Sequence, residues 1–204
     1  MLELLAPAGN LDAVIAAVQN GADAVYMGFG DGFNARRSAD NFTRESFAKA
    51  VRYCHIRGCK VYVTLNTLVG DREMDAAAAL AQQASDAGAD AILVQDLGLA
   101  RVLRAALPDI PLHASTQMSI HNLAGVEAAA EMGITRAVLA RELSLEQIRF
   151  ISQHASIETE VFVHGALCFC HSGQCYMSAL IGRRSGNRGA CAQPLSLIHI
   201  SEPT

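Results

Sequence analysis

Two hydrophobic patterns alternate along this chain: short continuous apolar runs, and longer stretches in which apolar residues recur every three or four positions. The short runs are typical of strands buried on both faces, and the longer pattern is typical of amphipathic helices. The runs predict seven strands, near residues 2–5, 24–28, 60–65, 91–95, 111–114, 136–140 and 159–163. The stretches between them predict helices near residues 11–20, 43–57, 72–87, 97–106, 121–131 and 144–153.

Three segments resemble one another, at residues 20–28, 87–95 and 132–140. Each carries a glycine where a helix is expected to end, namely Gly21, Gly88 and Gly133. Glycine is favoured there because the residue after a helix often takes a left-handed conformation. Ser144 and Gln147 have the three-residue spacing of a capping box at a helix start.

A regular strand–helix alternation predicts a parallel sheet, either in an open doubly wound fold or in a (β/α)8 barrel. The turn after the first strand, residues 6–10, lacks the G-x-G-x-x-G pattern of a doubly wound nucleotide binder. Seven similar units favour an α/β fold of the TIM-barrel type. With about seven βα units present, the predicted (β/α)8 barrel is truncated.

Residues 195–204 break this alternation and resemble translated sequencing-adapter read-through. We therefore expect residues 1–194 to form an incomplete N-terminal TIM-barrel-like domain and residues 195–204 to be a non-native tail. On this interpretation the native chain continues beyond Pro194 and supplies the eighth strand.

Composition narrows the classes of function. The chain has 204 residues and a formal net charge of −4, so no global charge attracts nucleic acid. The only dense basic patch contains Arg183, Arg184 and Arg188. We expect no membrane span, because no apolar run reaches ~18 residues, and no basic leader is visible. The expected location is cytoplasmic, where clustered cysteines indicate metal binding or catalysis rather than disulfides.

Four of the six cysteines fall within residues 160–191. They are Cys168, Cys170, Cys175 and Cys191. Their spacing matches neither a zinc ribbon nor a standard ferredoxin run. Three interpretations stay open: a metal or cluster site, which the spacing favours; a nucleophilic cysteine with His164 or His171; and inert thiols. Cys54 and Cys59 flank a predicted helix end and are expected in the core.

Polar residues follow each predicted strand at its carboxyl end, which is the active face of a barrel. They are Asn10, Asn66, Gln95, Asp96, Ser115, Thr116, Gln117, Arg141, Glu142 and His164, with Gly28 after the second strand. Asn10 and Asp96 have helix capping as an alternative role. We expect Arg141 to hold an anionic carboxylate and His164 to exchange a proton, beside Glu142. The alternative for Arg141 and Glu142 is a mutual surface ion pair.

Several motifs, in order, resemble peptidase family U-32, the collagenase-like group. They lie at residues 3–9, 21–26, 113–117, 160–168, 172–178 and 187–194, so the resemblance spans residues 1–194. The family pattern continues Pro-Cys-Arg, whereas Leu195 follows Pro194 here. This departure removes one cysteine and supports the interpretation of the tail as non-native.

The family name implies a protease acting on peptides. Some members instead take part in oxygen-independent hydroxylation of RNA bases or of quinone precursors, and the RNA-modifying members use prephenate as the hydroxyl source. In those members cysteines hold a [4Fe–4S] cluster. The resemblance then makes Cys168, Cys175 and Cys191 three ligands, places the fourth downstream and leaves Cys170 without a role.

We therefore expect an iron–sulfur-dependent enzyme that hydroxylates rRNA or tRNA, with prephenate as the small-molecule donor. A U-32 peptidase is the first alternative, and quinone-precursor hydroxylation is the second. A peptidase needs a nucleophile–base pair or an activated metal-bound water, and neither G-x-S-x-G nor H-E-x-x-H is present. A non-catalytic scaffold stabilised by a cluster or by zinc is also open.

Overall fold

The computed structural model describes residues 2–30, 32–35, 42–165, 168 and 170–192. Its centre is a parallel sheet of seven strands whose spatial order is their order in the chain. The strands are β1 (Leu5–Pro7), β2 (Ala24–Met27), β3 (Lys60–Leu65), β4 (Ala91–Val94), β5 (Leu112–Ala114), β6 (Arg136–Val138) and β7 (Glu158–Glu160). A doubly wound sheet would reverse its strand order near the centre. The sequential order is that of a barrel, so the predicted truncated TIM-barrel-like fold is confirmed.

A helix connects each strand to the next, and a seventh follows the last strand. The helices are α1 (Leu11–Gln19), α2 (Arg44–His55), α3 (Met74–Asp86), α4 (Leu97–Ala106), α5 (Leu123–Glu131), α6 (Leu145–His154) and α7 (Met177–Gly182). Short 3-10 helices occupy Asp71–Glu73, Thr116–Met118 and Gly186–Arg188. Across the described residues, none of the helices has the length and apolar character to cross a membrane.

The helix ends form as the local sequence predicts. Gly21, Gly88 and Gly133 have φ angles of 89°, 96° and 80°, which are left-handed values that favour glycine. Ser144 and Gln147 form the reciprocal hydrogen bonds of a capping box at the start of α6. These stops and starts keep each βα unit short, so that consecutive strands become neighbours.

The two faces of the strands have different environments. Outward residues such as Val63, Ile92 and Leu112 are buried against the helices in the main core. Inward residues form a smaller apolar cluster that includes Tyr62 and Leu93. The alternation follows from the two-residue period of a strand.

A charged network lies at the amino-terminal end of the barrel interior. Glu3 accepts hydrogen bonds from Tyr62 Oη at 2.8 Å, Lys60 Nζ at 3.1 Å and Arg136 Nη1 at 2.5 Å. Arg136 Nη2 also lies 2.6 Å from Glu158 Oε2. Arg136 thus connects β7 with the segment that precedes β1. These two strands, β1 and β7, border the opening of the barrel in the described chain.

The last strand is shorter than the sequence predicts. It ends at Glu160, and Val163, which the apolar run placed in the strand, is 86% exposed. The ladder stops because the next amide that faces this side has another partner: Leu139 N still donates to Glu160 O, but Arg141 N donates to Ser172 Oγ at 3.2 Å. The first strand is displaced by a few residues, because its pairing with β2 begins at Leu5. The predicted tail, residues 195–204, lies outside the described residues.

Candidate functional site

The cysteine-bearing segment, residues 168–192, packs on the carboxyl-terminal face of the barrel through one buried serine. Ser172 Oγ donates to Glu142 Oε2 at 2.9 Å and accepts from Arg141 N at 3.2 Å. The Ser172 backbone N–H donates to Glu142 Oε1 at 2.8 Å. Three hydrogen bonds to the residues that follow β6 therefore fix the segment at this face.

A second contact fixes the same segment to the residues that follow β5. Ser119 has a left-handed backbone with φ 59°, which is unusual for a residue other than glycine. In this conformation Ser119 Oγ donates to the Ser172 carbonyl at 2.5 Å and accepts from Gln174 Nε2 at 3.2 Å. Gly173 lies so close that an added Cβ would be 2.2 Å from the Gln117 carbonyl oxygen. Such a close approach requires glycine.

Glu142 is a carboxylate at the centre of this arrangement. Burial acts to raise its pKa, but hydrogen bonds from Ser172 and His121 outweigh burial and lower the pKa to about 2. Glu142 therefore stays ionised at neutral pH. The ion pair with Arg141 that the sequence offered as an alternative does not form among the described residues, because Arg141 Nε points to Ser172 Oγ at 3.3 Å.

Two histidines contact the same carboxylate oxygen. His121 Nε2 lies 2.9 Å from Glu142 Oε1, and His171 Nδ1 lies 3.2 Å from it. His121 Nδ1 lies 2.6 Å from the Ser119 carbonyl oxygen. Both partners of His121 can only accept, so the protonated imidazolium satisfies both contacts. The hydrogen bond to Ser119 is the main reason that the pKa of His121 is raised, against the effect of burial and with help from Glu142.

The cysteines meet in the loop beside this cluster. A hydrogen bond with the Cys175 thiol raises the pKa of Cys170, burial acts in the same direction, and the charges of Cys175 and Cys168 add to the effect. Cys168, Cys170 and Cys175 are therefore electrostatic neighbours. Cys168 is exposed, whereas Cys170 and Cys175 are half-buried.

Cys191 reaches the same region along a different path. A Cβ added to Gly186 would lie 3.8 Å from both the Cys191 Cβ and the Cys175 carbonyl oxygen. Ser178 Oγ donates to Cys191 Sγ at 3.7 Å. The segment therefore folds back on itself, and Cys191 lies near the backbone of Cys175.

This donor set fits a thiolate-held centre. No disulfide forms among the six cysteines, all of which the structure describes. The cysteine ligands of a cubic cluster bind different irons, with sulfurs roughly 6–7 Å apart. Among the described residues, the group of three or more ligand atoms that lie within 4.8 Å of one another contains no cysteine, so three thiols do not converge on a single small ion. The roles of Cys168, Cys175 and Cys191 stay predictions.

The other predicted site residues divide into two groups. Asn10 and Asp96 are helix caps, accepting from Ala13 N and Leu99 N at 2.8 and 2.9 Å, as the alternative held. His164 is exposed, and it makes no hydrogen bond or ion pair with the described residues. The structure does not bring His164 into the Glu142 cluster, so its catalytic role stays a prediction.

His121 was not predicted from the sequence as a site residue. The hydrophobic pattern predicted a helix beginning at residue 121, whereas α5 begins at Leu123, after the capping residue Asn122. The asparagine directly before Leu123 was the available signal for this boundary. One arginine of the predicted basic patch is already paired. Arg188 forms a bidentate ion pair with Glu73, at 2.8 and 2.5 Å.

A cleft of about 270 Å³ opens beside the cysteine loop at the same face. Its polar lining includes the amides of Gln95, Gln117 and Gln174, the Ser119 hydroxyl and the ring of Tyr176. Gln95 is 7% exposed, and its Oε1 has no hydrogen-bond partner in the described chain. A buried acceptor without a partner costs about 1–3 kcal/mol, so it is expected to serve a ligand.

The sequential parallel strands and the cysteine loop at their carboxyl ends agree with the comparison to known families. The model of peptidase family U32 matches residues 9–197, and the chain belongs to this family. The chain is 44% identical over 196 residues to the 23S rRNA 5-hydroxycytidine C2501 synthase of Escherichia coli (strain K12), covering 96% of this chain and 29% of that protein.

Two further relatives carry different names. Identity is 41% over 191 residues with tRNA hydroxylation protein P1 of Bacillus subtilis (strain 168), covering 94% of this chain and 45% of that protein. Identity is 36% over 203 residues with the collagenase of Porphyromonas gingivalis (strain ATCC BAA-308 / W83), covering 94% and 48%. The chain thus spans between 29% and 48% of the length of these three relatives.

The fold also has a solved counterpart. The structure of the U32 peptidase Mk0906 superimposes with a TM-score of 0.68 at 18% identity, covering 83% of this chain and 71% of that one. At this identity the likeness supports the barrel fold alone.

Proposed function

We propose that this chain is the barrel portion of an enzyme that hydroxylates a nucleobase of RNA without molecular oxygen. The observation that carries the proposal is the position of the cysteine loop beside a cleft lined by three amides and a tyrosine. Nucleobases extracted from their stack are recognised by hydrogen bonds to their edges and by stacking on aromatic rings. Two of the relatives described above are named for RNA hydroxylation.

The chain's own residues would bind and orient the base. Gln95 offers a buried carbonyl oxygen to an exocyclic amine or ring N–H, and the exposed ring of Tyr176 offers a stacking surface. Arg141 is held at its Nε by Ser172, which leaves its two terminal amino groups toward an anionic donor such as prephenate. His121 holds a proton between Ser119 and Glu142 at the same face.

A thiolate-held centre belongs to this proposal. Cys168, Cys175 and Cys191, with a fourth donor, would hold a [4Fe–4S] cluster, which supplies one-electron redox chemistry when bound. The electrostatic coupling of Cys168 and Cys175 to Cys170, and the return of Cys191 to the backbone of Cys175, support this assignment. Of the three arginines in the basic patch, Arg183 and Arg184 are exposed and available to RNA phosphates.

The base cleft is tested by Gln95→Met with Thr67→Val as its matched control. Both changes remove a buried oxygen that has no partner in the described chain, but only Gln95 lines the cleft. Each variant should be as stable as the parent or slightly more stable. Each chain is expressed in cells that lack other RNA hydroxylases, and the nucleosides of their RNA are analysed by mass spectrometry. The hydroxylated nucleoside should be lost with Gln95→Met and kept with Thr67→Val. Equal activity of the two variants would contradict the base-binding role.

The cluster is tested by Cys175→Ala with Cys59→Ala as its control, because Cys59 is buried in the core away from the loop. After anaerobic reconstitution, Cys175→Ala should lose iron and the broad absorbance near ~400 nm that thiolate-held iron–sulfur centres show. Cys59→Ala should keep both. Unchanged iron with loss of a peptidase activity would instead favour the second candidate, peptide hydrolysis, for which the collagenase relative is named.

A further inference from the structure

We propose that His121, Glu142 and His171 form a second metal site, separate from the cysteines, that binds a single divalent transition metal such as Zn²⁺. One ligand atom from each residue lies within 4.8 Å of the other two. Two imidazoles and one carboxylate are donors that Zn²⁺ and Fe²⁺ accept in proteins, with further positions left for water or substrate.

The distances are close to those a metal requires. Ligand atoms bound 2.0–2.1 Å from a tetrahedral metal stand roughly 3.3–3.4 Å apart. Glu142 Oε1 lies 2.9 Å from His121 Nε2 and 3.2 Å from His171 Nδ1. The two imidazole nitrogens lie within 4.8 Å of each other, and the exposed His171 ring would adjust to hold the ion. At His121 the metal would replace the proton that Nε2 now shares with Glu142.

The outer atoms of two ligands are already held, as they are in metal sites. His121 Nδ1 donates to the Ser119 carbonyl, which fixes the ring and leaves Nε2 as the ligand atom. Glu142 Oε2 accepts from Ser172 Oγ, which leaves Oε1 for the metal. The left-handed backbone of Ser119 aims its carbonyl at His121. Outer partners of this kind orient ligands and raise their affinity for metal.

Access favours an exchangeable or catalytic ion over a buried structural one. The His171 side chain is 78% exposed, whereas those of His121 and Glu142 are 35% and 25% exposed. His121 lines a cavity of about 480 Å³ that shares Leu97, Met118 and Ser119 with the cleft beside the cysteine loop. A metal here would therefore border the cavity that His121 lines. The guanidinium of Arg141, near Ser172, opposes a cation and is expected to weaken the affinity.

Cobalt titration tests the site without reference to activity. Co²⁺ bound by imidazole and carboxylate gives visible d–d bands, and only Co²⁺ bound by thiolate adds an intense charge-transfer band in the near ultraviolet. The reduced chain, without reconstituted cluster, should bind one Co²⁺ with d–d bands that survive in Cys175→Ala. His171→Gln should lower the affinity for Co²⁺ at least tenfold. Because His171 is exposed, this variant should fold as the parent chain does.

His154→Gln is the matched control, because His154 is an exposed histidine whose ring contacts Phe150 of its own helix. It should bind Co²⁺ as the parent chain does. The proposal is overturned if no stoichiometric Co²⁺ binds, if every bound ion carries the thiolate band and is lost in Cys175→Ala, or if His171→Gln retains the parent affinity. In those cases the three residues form only a hydrogen-bonded charge cluster.

Discussion

Replacing Gly173 by alanine tests how the cysteine segment is attached to the barrel. The new Cβ would lie 2.2 Å from the Gln117 carbonyl oxygen and 2.7 Å from Ser119 Oγ. Ordinary contacts between carbon and a carbonyl oxygen are about 3.3 Å or longer. The overlap of about 1 Å is with backbone, so no side-chain rotation can remove it. The segment must move away and weaken the hydrogen bond between Ser119 and the Ser172 carbonyl.

The magnitude follows from two contributions. Alanine in a left-handed conformation costs about 1 kcal/mol relative to glycine, and overpacking adds about 1–3 kcal/mol. Gly21→Ala isolates the first contribution, because Gly21 has φ 89° and its Cβ would meet nothing within 4 Å. We expect about 1 kcal/mol for Gly21→Ala and about 2–4 kcal/mol for Gly173→Ala.

Hydrogen exchange locates the effect within the chain. The Ser172 amide donates to Glu142 at 2.8 Å and should lose protection by about 10- to 100-fold in Gly173→Ala. Amides of β3, in the centre of the sheet, should keep theirs. If the Ser172 amide stays as protected as in the parent chain, and urea unfolding shows Gly173→Ala to be no less stable than Gly21→Ala, the close approach does not hold the segment.

Two further predictions concern ion pairs. Burial acts to raise the pKa of Glu3, but hydrogen bonds led by that from Arg136 lower it from 4.5 to about 2. The ionised Glu3 therefore stabilises the folded state above about pH 4.5, and this stabilisation is lost as the pH falls toward 2. In urea titrations, Glu3→Gln should lower the free energy of unfolding by about 2 kcal/mol at pH 7, after allowance for solvent screening, and by much less at pH 2.5. An equal cost at both pH values would contradict this linkage. Arg188→Lys should speed proteolysis of the cysteine segment without changing barrel unfolding, because lysine cannot reproduce the bidentate pair with Glu73, whereas Arg184→Lys should change neither.

Local sequence signals account for most of the barrel. The glycines that end the helices and the apolar runs that follow them act within a few residues, and the structure reproduces both. The failure at the last strand has a non-local cause. Val161 to Val163 have the composition of a strand, but a strand also needs a neighbour, and the Arg141 amide that faces them donates to Ser172 Oγ instead. Composition records propensity and not the presence of a partner.

The candidate site was predictable only where its residues follow from the order of strands. Arg141 and Glu142 follow a strand, and a barrel directs such residues to one face. The partner of Glu142 was hidden, because His121 is 21 residues earlier and reaches it only through the turn at Ser119. The ion pair of Arg188 was still less predictable, because its partner Glu73 lies 115 positions away in the sequence. Neither contact leaves a periodic signal in the sequence.

Glu142 explains why the two proposed centres lie together. Its Oε2 accepts from the Ser172 hydroxyl, which holds the loop that carries the cysteines, while its Oε1 faces both histidines. His171 belongs to that same loop and directly follows Cys170. Docking the loop therefore completes the histidine cluster and positions the thiols in one step. A single ionised carboxylate thus couples the order of the cysteine loop to the geometry of the second site, and a change at either is expected to be felt at the other.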